Sequence, residues 1–153
     1  MIKIAIAIVV IVLLGYLGYG VERFYKKRIR IVDDYKNFIC FVKRETEFLK
    51  SDLVELVKKY EYRTNEFKEI LHCLLKNEQF NQMSIGKEIV KEISSFLEEL
   101  SKADYYFKNV VIKNAESIAE NLLKRAEQDK IQKGELGRKL LILLGIGLII
   151  IIL

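Results

Sequence analysis

The chain has 153 residues, no proline, no tryptophan, two cysteines, one histidine, and a net charge of +5 from 26 Lys and Arg against 21 Asp and Glu. A hydrophobic content of 51% excludes an intrinsically disordered tail. The distribution excludes a plain soluble domain, because every acidic residue, and every basic residue except Lys3, lies between two uncharged runs at 4–21 and 140–153.

Residues 4–21 form a stretch of about 27 Å as a helix, close to the ~30 Å of a hydrocarbon core. Tyr16 and Tyr19 stand near its end, where aromatic rings favour headgroups, and Glu22 and Arg23 mark the interface. A cleaved signal peptide is the competing reading, with Gly18-Tyr19-Gly20 a weak cleavage site. Beyond it, Val32, Tyr35, Phe38, Ile39, Val42, Leu49 and Leu53 recur mostly at three- and four-residue steps, so the helix is expected to run on to about Lys50. Cys40 reads as a small core residue, and Cys40 and Cys73 match no metal or redox spacing.

Ser51, followed by Asp52, predicts the N-cap of a short helix carrying Leu53, Leu56, Val57 and Tyr60. Thr64 predicts the cap of the next, with Phe67, Ile70, Leu71, Leu74 and Leu75 on its apolar face. Residues 77–84 read as a loop. Ser84 is expected to open a helix striped by Ile85, Ile89, Ile93, Phe96, Leu97 and Leu100. Asp104 is a candidate cap for a long last helix with Phe107, Val110, Val111, Ala115, Ile118, Leu122 and Ala126 inward, continuing past one interruption near Gly134. Residues 140–153 are apolar on every face, which no amphipathic core helix requires. Gly15 and Gly18, with Gly145 and Gly147, would permit close helix packing.

The fold class is therefore all-α. It is a cytoplasmic antiparallel bundle of about five helices over 22–139, flanked by a transmembrane helix at 1–21 and a short one at 140–153. The basic membrane flanks Arg23, Lys26, Lys27, Arg28 and Arg30 on one side, and Arg138 and Lys139 on the other, place the domain in the cytoplasm by the positive-inside rule. Thiols stay reduced there. Residues 31–129 hold 16 basic and 19 acidic residues, so the positive excess sits in the flanks and speaks against nucleic-acid binding.

Chemistry-bearing patterns are sparse. His72 is the lone histidine, and its neighbour Cys73 points elsewhere on a helix. Acidic pairs such as Asp33-Asp34 and Glu98-Glu99 read as solvated faces. No phosphate-binding glycine loop is present, and neither enzyme activity nor a cofactor or metal is expected.

Several patterns in order resemble a known family. Tyr25-Lys26-Lys27-Arg28 resembles its Y-x-x-R-P, with Val32 on a following leucine and Glu45 on a glutamate of the first cytoplasmic helix. Ser51-Asp52-Leu53-Val54-Glu55 resembles T-P-L-x-E, and Glu92, Phe96, Leu100 and Asp104 resemble E-x-x-x-F-x-x-x-L-x-x-x-D. The ending from Leu136-Gly137 onward resembles the family's terminal apolar helix. The family is stage III sporulation protein AB of spore-forming Firmicutes. Here Ile29 and Asp52 replace its two prolines, Ser101 replaces a glycine, and the stretch over 61–84 is shorter. The family's helical domain is similar to that of the F-type platform proteins of type II secretion. The resemblance implies a non-enzymatic platform subunit of the channel from mother cell to forespore. It implies partners too, a cytoplasmic secretion-type ATPase and other channel subunits. Arg28, Glu45, Glu55 and Asp104 become candidate partner contacts. The expected location is the mother-cell side of the outer forespore membrane. A membrane-tethered signalling or lipid-sensing protein, using the basic flanks to meet membrane lipids, is the alternative, and homo-oligomerisation stays open.

Overall fold

The computed structural model describes residues 2–48, 52–76, 78 and 85–152. The elements are α1 (Ile2–Phe48), α2 (Leu53–Lys59), α3 (Asn65–Leu75), α4 (Lys87–Lys102), α5 (Tyr105–Asp129), a π-helical turn (Lys130–Glu135) and α6 (Leu136–Ile152). The chain is all-helical, with no strand among the described residues. The interruption expected near Gly134 is the π turn, which inserts wider backbone without ending the helix. Residues 28–124 form one compact unit, and residues 1–27 with 125–153 form a second.

In the first unit, α1 supplies the core stripe Ile31, Val32, Tyr35, Phe38, Ile39 and Val42, each at most 1% exposed. The steps of one, three and four residues keep these side chains on one broad face. Leu56 and Val57 of α2, Phe67, Ile70 and Leu71 of α3, the predicted stripe from Ile85 to Leu100, and Ile112, Ala115, Ala119 and Leu122 of α5 join them in the core. Aromatic rings meet at its centre. Phe38 lies 5.1 Å from Tyr60, 5.9 Å from Phe67 and 6.4 Å from Phe96, all edge-on, an arrangement contributing about 0.5–1.5 kcal/mol per pair beyond burial. Cys40 lies at the edge of this core, half-buried rather than inside it, and both cysteines are free thiols.

Local signals set the connections. Asp52, not Ser51, caps α2, its carboxylate accepting from the Leu53 N–H at 2.8 Å; Ser51 lies outside the described residues. Thr64 caps α3 as expected, its Oγ1 accepting from the Phe67 N–H. The predicted loop at 77–84 falls outside the described residues except for Glu78, as does Ser84. The next helix starts at Lys87, behind Gly86. Gly86 has φ +105°, a conformation glycine adopts at little cost, and a Cβ there would stand 3.3 Å from Arg28 Nη2.

Of the residues expected on the inner face of α5, Ala115, Leu122 and Ala126 are buried and Val111 and Ile118 pack at the core's edge, but Phe107 and Val110 do not. Phe107 and Val110 are 66% and 62% exposed, while Ile112, Ala115, Ala119 and Leu122 are buried. At 100° per residue, positions two and five before Ile112 fall on the far side of the helix. Ion pairs join α5 to α1. The pairs Lys36–Glu120 (3.2 Å) and Lys43–Glu116 (3.0 Å) show the two helices running antiparallel.

In the second unit, α1 and α6 also run antiparallel. A Cβ on Gly145 would meet Leu14 Cδ1 at 3.1 Å, one on Gly18 would meet Arg138 Cγ at 3.4 Å, one on Gly137 would meet Val21 Cγ1 at 3.8 Å, and one on Gly134 would meet the Tyr25 ring at 3.2 Å. Of the four glycines expected to support packing, Gly18 and Gly145 do so, while Gly15 and Gly147 face open space. Among the described residues, one helix, within Ile8–Thr46, is long and apolar enough to cross a membrane, and only 6% of its most apolar window is buried.

Candidate interaction surface

Two of the four candidate contact residues come to one neighbourhood. Glu55 in the first turn of α2 pairs with Lys59 at 2.9 Å. The hydrogen bond and field of Glu55 hold the Lys59 ammonium above the usual lysine range, and the charge of Glu45 on α1 adds to the effect. Glu45 and Glu55 thus act on the same cation. Arg28 does not join them, because its guanidinium lies against Gly86 at the start of α4. Asp104 stands apart as well. It is exposed, and its carbonyl accepts from the Lys108 N–H at 2.9 Å, which places it at the mouth of α5.

Immediately after Asp104, α5 exposes Tyr106 (86%), Phe107 and Val110. Exposed apolar side chains grouped on one helical turn mark surfaces that meet other molecules. Beside them, Glu99 of α4 and Val110, Val111, Lys113, Asn114 and Ser117 of α5 line a hollow of about 680 Å³. The exposed turn and hollow are what sequence reading missed, because it assigned Phe107 and Val110 to the core.

It missed the Asp34 node too. Asp34, read as solvated, is fully buried. Its Oδ1 accepts from the Tyr60 hydroxyl at 2.6 Å. Its Oδ2 accepts from the Arg63 N–H (3.1 Å), the Thr64 N–H (2.9 Å) and the Thr64 hydroxyl (2.9 Å). Charge-accepting hydrogen bonds of this kind are the strong ones. A carboxylate on α1 therefore ties down the turn before α3 and adds negative charge at that helix's N-terminus. Burial, then the bond to Asp34, pushes the Tyr60 phenol well above its ordinary range. Burial, then the charge of Asp34, pushes Tyr62 up to about 12. Burial, then Glu92 and Glu99, raises Tyr35. The node is fully engaged, so its work is positioning.

The basic flanks divide between the units. Arg28 and Arg30 belong to the first, while Arg23, Lys26, Lys27, Arg138 and Lys139 belong to the second. There Glu22 accepts from Lys26 at 2.7 Å and from Arg138 at 2.8 Å. His72 is exposed on α3, its ring 6.3 Å from that of Tyr62. Among the described residues, no three His, Cys, Asp or Glu side chains stand close enough to share a metal ion. No protein-family model, curated protein or solved structure matches the chain.

Proposed function

We propose that this chain is a non-enzymatic, two-pass membrane scaffold whose helical domain lies in the cytoplasm and offers its surface to a secretion-type ATPase, as a platform subunit of the sporulation channel. The observation that carries the reading is α1. The apolar segment and the central core helix are one unbroken element from Ile2 to Phe48. A cleaved signal sequence has no need to continue as the core helix of the mature domain. A soluble core helix would be covered, and this one is bare over its apolar part. Exposed Ile8, Val12, Leu143 and Ile150 on α1 and α6 support a lipid environment for both segments. The ATPase and the sporulation channel come from the family resemblance, on the mother-cell side of the outer forespore membrane. The exposed turn at Tyr106–Phe107–Val110 and the Glu45–Lys59–Glu55 group are the surfaces such a partner would use.

The test is retention of the secretion-type ATPase of the same cell by the full chain in detergent, at physiological salt. The expected result is a complex weakened about tenfold or more by Phe107→Ser with Val110→Ser, or by charge reversal at Glu45 and Glu55. Absence of a complex with the folded, helical chain overturns the ATPase reading.

A further inference from the structure

The net charge of +5 belongs to one unit. Residues 1–27 and 125–153 carry nine Lys and Arg against four Asp and Glu, while residues 28–124 carry 17 of each. The excess gathers where the uncharged runs end, on α1 and on the segment facing it. The contacts of Gly137 with Val21 and of Gly134 with Tyr25 set those two stretches side by side. At their junction stands Glu22, its side chain 15% exposed, between Lys26 at 2.7 Å and Arg138 at 2.8 Å. The two cations remain about half exposed, at 50% and 56%. One carboxylate cannot neutralise both. An ammonium carries three N–H donors and a guanidinium five, so each keeps donors turned away from Glu22. The carboxylate fixes where two long, otherwise mobile cations sit.

We propose that Lys26 and Arg138, held by Glu22, bind the phosphate of an anionic phospholipid headgroup, with Arg23, Lys130 and Lys139 supplying the surrounding positive field. The inference rests on reading both apolar segments as membrane-crossing. Charge complementarity and position choose the occupant. The cluster adjoins uncharged runs on both helices, which is the depth of lipid phosphates, and basic residues there favour anionic lipid by about fivefold each.

The experiment places the full chain in bilayer discs of phosphatidylcholine with and without phosphatidylglycerol, and counts lipids retained after extraction by native mass spectrometry. Phosphatidylglycerol is expected to be retained over phosphatidylcholine by about tenfold or more. Lys26→Gln with Arg138→Gln removes most of that preference, bringing retention of the two lipids close to equal. Glu22→Gln lowers it as well, although it makes the chain more positive, because the two cations lose their anchor. Circular dichroism of each variant checks that the helices persist. Equal retention of the two lipids overturns the proposal. So does a gain of phosphatidylglycerol by Glu22→Gln, which would mean unstructured charge attraction. Displacement of the lipid by inorganic phosphate, beyond that by chloride at equal ionic strength, would mean a free-phosphate site and overturns it too. Failure of the chain to enter either disc overturns the membrane reading itself, whereas entry without selection overturns only this inference.

Discussion

Asp34 shows how one side chain joins parts of the chain 26 to 30 positions apart. Replacing it by Asn keeps one oxygen but turns an amide N–H₂ toward groups that are themselves donors, and is expected to cost about 2–3 kcal/mol. Tyr60→Phe removes one hydroxyl and is expected to cost about 1 kcal/mol. The double variant should lose less than the two together, because they share a bond; chemical denaturation of the full chain followed by circular dichroism measures the coupling. The raised phenols of Tyr35, Tyr60 and Tyr62 predict a pH dependence. A phenol protonated more tightly in the folded state gives stability that is full below its unfolded value of about 10 and is lost as pH rises beyond it. Alkaline titration should therefore show the phenolate absorbance of these three appearing together with loss of helix. Asp34 itself was legible in part. It stands between Ile31 and Phe38 on the buried stripe, in phase with the core, while its neighbour Asp33 points partly outward. An adjacent acidic pair straddling the edge of an apolar face reads as surface unless each member is placed by its own angle. The donors from Tyr60, Arg63 and Thr64 carried no local signal, because tertiary packing brings them in.

Among the elements, α1 and α4 were readable because large aliphatic and aromatic side chains mark their inner faces at regular steps. In α5 the inner face is carried by Ala115 and Ala119 with Ile112 and Leu122, while larger side chains such as Phe107 and Val110 look outward. Ala115, Leu122 and Ala126 were legible on that face, whereas Phe107 and Val110, large but five and two positions before Ile112, lie on the opposite one. The π turn left one trace in the sequence, Gly134, whose missing Cβ accommodates the Tyr25 ring. The glycines of the second unit divide accordingly. Gly134→Ala must displace that ring and is expected to lose about 1 kcal/mol or more. Gly147→Ala enters open space inside a helix and is expected to be neutral, or stabilising by up to about 1 kcal/mol. Thermal unfolding of the two variants in the same detergent separates them, and equal behaviour would contradict the helix pairing.

At the scale of the molecule, helicity and the long apolar N-terminal helix were legible from composition, absence of proline and uncharged runs. The pairing of α1 with α6 was foreshadowed only by glycines, and two of the four identified take part. The partition of charge has a practical consequence. Residues 28–124 hold equal numbers of acidic and basic side chains, and a polypeptide of those residues would reach its isoelectric point near neutrality. With Tyr106, Phe107 and Val110 bare, such a fragment should precipitate most readily at neutral pH and dissolve better on either side, whereas the whole chain, with a pI near 9.1, keeps its mutual repulsion there. The basic residues outside 28–124 are then also what keeps copies of the chain from clumping, and a turbidity series across pH on both polypeptides would display the difference.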